Sequence, residues 1–244
     1  MKKLTIYVRN DLKMRKGKMA AQSAHAAMKL MFEAMHRFSD RMLLCEPQLQ
    51  DLQEFLSNPH VDIVMVKDEA ALNEVLNKDM PYSIITDSGR TEFHGVPTVT
   101  CAAQGIFSPC EMIELVVKHN YSSDIKAKQL FVFNKDVALS KEKACQQAVL
   151  SCIKQLYNLM SVLPNGERYF DLNEKRPLIE WIMSAFAKIA LSTKTLEELL
   201  ALKDTLVKRG FSVEHITMDG NHCLCISPQY PSDIDPFTGS LSLI

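Results

Sequence analysis

The residues best suited to chemistry lie in one stretch: Lys13-Met14-Arg15-Lys16-Gly17-Lys18-Met19-Ala20-Ala21-Gln22-Ser23-Ala24-His25-Ala26-Ala27. A basic, glycine-containing turn leads out of an apolar segment into an alanine-rich one. Backbone N–H groups and the dipole at such a helix start favour an anion. Lys13, Arg15, Lys16 and Lys18 add side-chain charge. The chemistry is that of a phosphate-facing turn. It is not a P-loop, because the G-x-x-x-x-G-K-[ST] spacing is absent. A solvated basic loop is the plain alternative. Three possible metal ligands stand together in His222-Cys223-Leu224-Cys225. Zinc sites usually draw on two separated ligand pairs, and strand alternation accounts for the same residues, so no metal is expected.

The elements that must position these groups read as alternating strands and helices. Residues 4–9 are β-branched and aromatic and end at Asn10-Asp11, a buried strand. Met19 to about Met35 is rich in alanine, the best helix former. Residues 41–57 read as a second helix, broken by Asn58-Pro59-His60. Strands are expected at Val61–Val66, at Tyr82–Thr86, which runs into Asp87-Ser88-Gly89-Arg90-Thr91, and at Pro97–Cys101. Asp68 is placed to cap a helix reaching about Leu76. Strands separated by helices indicate an α/β sheet.

The plan then repeats. Leu130–Val137 restates Thr5–Leu12 at an offset of 125, and in that register Lys16 meets Lys141, Lys18 meets Lys143 and Gln22 meets Gln147. Helices are expected from Lys141 to Met160, from Pro177 to about Ala185, and from the capping box Thr195-Leu196-Glu197-Glu198 to Gly210. Strands are expected at Lys188–Leu191, Phe211–Ile216 and around Cys223–Ile226. The expected architecture is α/β: two similar units, each a four-stranded mixed sheet with helices on both faces, divided as 1–122 and 123–244.

Composition bounds the class. Hydrophobic residues at 47% and charged residues at 23% exclude a disordered chain. Eight glycines against 13 methionines argue for helix and against a β-barrel. Seven cysteines, an odd number without a C-x-x-C pair, speak against a disulfide framework and for a reducing, cytoplasmic setting. The apolar run at the amino terminus is too short for a signal peptide, and no apolar stretch approaches the ~18 residues of a membrane span.

Residues 5–27 closely resemble the amino-terminal motif of the peptidyl-tRNA hydrolase 2 family, approximately V-V-R-x-D-L-K-M-G-K-G-K-x-A-A-Q-x-x-H-A-A. Asp87-Ser88-Gly89-Arg90-Thr91 resembles its D-A-G-R-T motif, and Pro97-Thr98-Val99 the strand that follows. The family's closing motif, near I-D-x-V-T-G-x-L-x-L, is missing after Gly105. It stands instead at Ile234-Asp235-Pro236-Phe237-Thr238-Gly239-Ser240-Leu241-Ser242-Leu243. The chain thus resembles a tandem of two such domains, the second degenerate.

The resemblance implies hydrolysis of the ester joining a peptide to the 3′ end of tRNA, without metal or cofactor. It implies that Lys18, Asp87 and Thr91 are catalytic, that Gln22, His25 and Thr98 line the site, and that Lys13, Lys16 and Arg90 contact tRNA. Arg15 and Gly17 complete the phosphate-facing turn. Ester hydrolysis needs an activated water and a stabilised oxyanion. Asp87 would serve the water as general base, Lys18 would stabilise the oxyanion or hold Asp87 ionised, and Thr91 would position water or ribose. A plain Lys18–Asp87 salt bridge is the structural alternative.

The departures from the pattern are specific. Arg15 replaces a glycine, Ser88 an alanine, and the Glu92–Pro97 loop is about one residue short. In the second unit Leu150 stands where His25 stands, and Thr217-Met218-Asp219-Gly220-Asn221 replaces the aspartate motif. That unit is expected to be silent, replacing the partner subunit of a dimer as a covalent pseudo-dimer. Two other functions remain open: a binding protein that holds tRNA, a nucleotide or a nucleotide-like signal without turnover, and an adaptor using the Met28, Met31, Phe32, Met35 stripe. That stripe reads first as core. The net charge of −1 hides a segregation, since residues 1–30 hold eight basic residues and one acid. One basic face on a mildly acidic body fits a local RNA contact.

Overall fold

A computed structural model describes residues 2–89, 92–112, 127–174, 176–184 and 186–244. The first repeat runs β1 (Leu4–Arg9), α1 (Lys16–Glu33), β2 (His36–Phe38), β3 (Arg41–Leu44), α2 (Gln48–Ser57), β4 (Val61–Val66), α3 (Glu69–Val75), β5 (Tyr82–Asp87) and β6 (Thr98–Gly105). The second runs β7 (Lys128–Asn134), α4 (Lys141–Leu159), β8 (Ser161–Val162), β9 (Arg168–Asp171), α5 (Pro177–Ile182), β10 (Lys188–Thr193), α6 (Leu196–Lys208), β11 (Val213–Met218), β12 (Asn221–Gln229), α7 (Pro231–Thr238) and β13 (Ser242–Leu243).

The fold forms two compact units that are not uninterrupted halves of the chain. One comprises Met1–Met14, Gln22–Val116 and Leu159–Asn173; the other comprises Arg15–Ala21, Val117–Asn158 and Glu174–Ile244. The sequence boundary at 122/123 and the expected helix end at Ala185 lie outside the described residues.

In the first unit the sheet order is β4-β1-β6-β5. β1 runs parallel to β4 and antiparallel to β6, which is antiparallel to β5. Successive residues of β6 show the two covered faces. Cys101 donates to the Gln22 carbonyl of α1 at 3.2 Å, while Ala102 packs with Leu72 and Leu76 under α3. The alanines explain how closely α1 lies on the sheet: Ala20, Ala24 and Ala27 are at most 1% exposed, and the Ser83 hydroxyl reaches the Ala26 carbonyl at 2.7 Å.

The second sheet has the order β11-β12-β7-β10-β13. Its first four strands repeat the plan of the first sheet, and β13 adds a two-residue fifth to the four expected. One face carries α4, with Gln155 bonded to the Cys225 carbonyl at 2.7 Å; the other packs Leu224 and Ile226 with Leu199 and Leu206 of α6.

Local signals that the sequence contains are realised atom by atom. The Asp68 carboxylate accepts the Ala71 N–H at 3.0 Å. Thr195 accepts the Glu198 N–H at 3.2 Å, and Glu198 reaches back to the Lys194 N–H at 2.8 Å. α6 ends in a Schellman arrangement around Gly210 (φ +84°), with Phe211 N–H on Leu206 O and Gly210 N–H on Val207 O. Met28, Met31, Phe32 and Met35 are at most 1% exposed, so the stripe is core and no adaptor surface.

Residues 41–57 are not one helix. They split into β3 and α2, with Pro47 at the helix N-cap. The cause is a distant partner: β3 pairs with β9, residues 168–171, in a small sheet of order β2-β3-β9-β8. Pairing at that sequence distance overrides local helix propensity. No described helix is long and apolar enough to cross a membrane.

Replacing Thr195 by alanine removes the cap of α6. It is expected to cost about 1 kcal/mol, read as a lower urea midpoint for unfolding of the second unit.

Candidate active site

The centre of the site is the carboxylate of Asp87 at the end of β5. The β5–β6 register shifts between Ile85 and Thr86, so that Asp87 faces Thr98. Irregularities of this kind re-aim a strand end. Both carboxylate oxygens are held. Gln22 Nε2 donates to Oδ2 at 2.7 Å, and the Gly89 N–H donates to Oδ1 at 2.8 Å.

Gln22 is itself oriented. The Thr100 hydroxyl donates to Gln22 Oε1 at 3.0 Å. Thr100 is fully buried and Gln22 is 3% exposed. With its oxygen occupied by a donor, the amide presents its nitrogen to the carboxylate, which accepts when ionised. Asp87 remains half-buried, between this buried anchor and solvent.

α1 adds two further groups by periodicity. Lys18 lies four residues before Gln22 and His25 three after, spacings that put all three on one helix face. Lys18 and His25 are half-buried. Thr98, expected to line the site, donates its hydroxyl to Val96 O at 2.9 Å. The threonine that touches the glutamine is Thr100, which sequence reasoning passed over. Its signal was a hydroxyl set just before the apolar Cys101-Ala102-Ala103 run. Thr91 and Arg90 lie outside the described residues.

The basic amino-terminal segment divides in two. Lys2 pairs with Asp51 at 2.6 Å, Lys3 with Asp62, Arg9 with Asp11 and Glu69 at 2.7 Å each, and Lys29 with Glu33 at 2.6 Å. The hydrogen bond from Arg9 holds the Asp11 carboxyl below the usual carboxylate range. Part of the local positive charge thus holds acids of the fold. Lys13, Arg15, Lys16 and Lys18 sit on the β1–α1 turn and the first turn of α1.

Gly17 departs from the phosphate-contact reading. It is buried, and its N–H donates to Ile244 O at 3.2 Å. A Cβ at this position would meet that oxygen at 2.7 Å and Ala190 Cβ at 3.2 Å. Close packing requires this glycine.

The second unit keeps the glutamine and loses what it holds. Gln147 donates Nε2 to the Asn221 carbonyl at 2.7 Å, and its buried Oε1 has no hydrogen-bond partner among the described residues. β11 ends at Met218, and the exposed Asp219 that follows pairs with Lys143, the counterpart of Lys18, at 3.2 Å and not with the glutamine. Cys223 faces Phe133 as Cys101 faces Val8, so His222 stands in the place of Thr100. On β12 the alternation turns His222 away from Cys223 and Cys225. His222 meets His215 at 3.0 Å while the two cysteines are fully buried.

The Asp87 turn depends on Gly89, at φ +80°, where a Cβ would meet Val96 O at 2.4 Å. Gly95, at φ +79°, has open space around it. Gly89→Ala is expected to destabilise by more than about 1 kcal/mol and Gly95→Ala by less, as compared by thermal unfolding.

Comparison with known proteins places this geometry. A family model described as "Peptidyl-tRNA hydrolase PTH2" matches residues 2–119 and again residues 127–244. A peptidyl-tRNA hydrolase of Saccharolobus islandicus is 35% identical over 112 residues, 43% of this chain and 86% of that protein. One of Sulfolobus acidocaldarius is 34% identical over 130 residues, 51% of this chain and 98% of that protein. The mitochondrial peptidyl-tRNA hydrolase 2 of Bos taurus is 35% identical over 122 residues, 48% of this chain and 62% of that protein. Matched by the family model along both repeats, the chain belongs to the peptidyl-tRNA hydrolase PTH2 family, as a tandem.

Proposed function

We propose that the first repeat hydrolyses the ester bond between a peptide, or an N-acyl-aminoacyl group, and the 3′ end of tRNA. The observation that carries this reading is the Thr100–Gln22–Asp87 chain, closed from the other side by the Gly89 N–H. It holds one carboxylate in a fixed direction while leaving it half-exposed.

The reaction follows from the chemistry of the groups. Asp87 accepts a proton from a water as that water attacks the ester carbonyl. The carbonyl oxygen becomes an oxyanion, stabilised by the Lys18 ammonium. Collapse breaks the C–O bond, the proton passes from Asp87 to the departing 3′ oxygen of the ribose, and the peptide leaves as a carboxylic acid that gives its remaining proton to solvent. Thr91 positions the water or the ribose, and His25 lines the site. Lys13, Arg15, Lys16 and Arg90 receive the tRNA backbone, a contact that weakens with salt. Every step is carried by side chains and water.

The second repeat acts as a structural partner without turnover. The Gln147 amide, which holds a backbone carbonyl where Gln22 holds a carboxylate, and its orphaned oxygen support this. The seven free cysteines, five of them buried, support a reducing, cytoplasmic setting.

Release of peptide from purified N-acyl-aminoacyl-tRNA tests the assignment. Lys18→Ala and Asp87→Asn are each expected to lower kcat by about 10²–10³. Lys143→Ala, in the second repeat, should leave turnover unchanged. Wild-type binding without turnover would instead support a protein that holds tRNA or a nucleotide. Two equivalent tRNA sites per chain would overturn the silent second repeat.

Gln22 acts through Asp87, as a positioning residue. Gln22→Leu is expected to lower kcat about tenfold or more with little change in KM, because an unoriented carboxylate loses near-attack geometry. A matching fall in tRNA affinity would assign Gln22 to binding instead.

A further inference from the structure

The two main sheets share one strand order and differ at one edge. In the second unit β13 runs antiparallel to β10, with Leu243 opposite Leu191 and Ser242 opposite Ser192. The Ile244 N–H donates to Ala190 O at 3.3 Å. Leu191 and Ser192 are covered, at 7% and 4% exposure.

The same register can be followed in the first unit. Gln129 faces Lys188 as Leu4 faces Val61, so Val64 and Met65 of β4 stand where Leu191 and Ser192 stand in β10. β4 is the edge of its sheet among the described residues. Val64 and Met65 are 37% and 45% exposed.

The backbone phase is also defined. His60 O accepts from the Leu4 N–H and Val66 O from the Asn10 N–H. Even-numbered residues of β4 therefore turn their peptide groups to β1, and Ile63 and Met65 turn theirs outward. Their counterparts in β10, Ala190 and Ser192, are the residues that meet the closing segment. Edge strands that avoid partners carry lysine, proline or a bulge. Ile63, Val64 and Met65 offer none of these.

We infer that β4 is a docking edge for an extended segment of another polypeptide, added antiparallel, with the chemistry of Ser240-Leu241-Ser242-Leu243-Ile244. The occupant is argued from the molecule itself, since its second unit fills the equivalent edge with that segment. A second copy of this chain is the poorer donor, because its closing strand already pairs with its own β10. The main-chain bonds would supply affinity, with a leucine in the place of Leu243 beside Val64 on one face of the sheet and the residue in the place of Ser242 beside Met65 on the other.

The test titrates the full chain into a fluorescein-labelled peptide of residues 237–244 and follows anisotropy and amide hydrogen exchange. Saturable binding that slows exchange at Ile63 and Met65 is expected. Met65→Pro removes only an outward N–H, and Val64→Lys adds an edge charge. Each should weaken the peptide about tenfold or more while circular dichroism stays unchanged. Absence of saturable binding, undiminished affinity in both variants, or protection on β10 in place of β4 would overturn the inference. So would a wild-type dimer that Val64→Lys dissociates, which would assign the edge to a second copy.

Discussion

One buried amide governs the reading of this protein. Gln22 sits between a hydroxyl donor and a carboxylate acceptor, and its orientation follows from Thr100. The alanines of α1 let the helix lie close enough to the sheet for that contact. The β5–β6 irregularity carries Asp87 toward it, and Gly89 closes the turn from the other side. Remove the carboxylate and the same amide becomes a liability. In the second repeat Gln147 bonds a backbone carbonyl and leaves its own oxygen without a hydrogen-bond partner among the described residues. Burying a polar atom in this way costs free energy, which makes Gln147 a trace of a geometry that its unit no longer completes.

Much of the fold was legible because its signals are local. The β-branched run of β1, the alanines of α1, the Asp68 and Thr195 caps and the stop at Gly210 each act within a few residues. The 125-residue offset matched the central strands and set Lys16 against Lys141, the residues at which the two helices start, although the alanine run alone placed the first start at Met19. The small sheet was not legible, since β3 has no reason to be a strand until residues 168–171 arrive beside it. The site divides along the same line. Gln22 and Asp87 were accessible through motif resemblance, whereas Thr100 and the role of Gly17 depend on contacts between distant segments. The segregation of charge was visible, but its meaning was not. Lys2, Lys3, Arg9 and Lys29 hold acids of the fold, while the turn between β1 and α1 carries its charge at the site's own helix.

The small sheet also bears on how the chain is made. The first unit includes Leu159–Asn173, which lies beyond the start of the second repeat. Phe32 of α1 packs edge-on against Phe170, with ring centroids 5.9 Å apart. During synthesis the first repeat emerges well before that partner exists, so its core waits, incomplete, for a segment more than a hundred residues downstream. Contacts of such sequence separation slow folding and prolong the exposure of apolar surface. Duplication thus made the two repeats interdependent in time: the first unit finishes folding only once residues 159–173, which lie within the second repeat, have been translated.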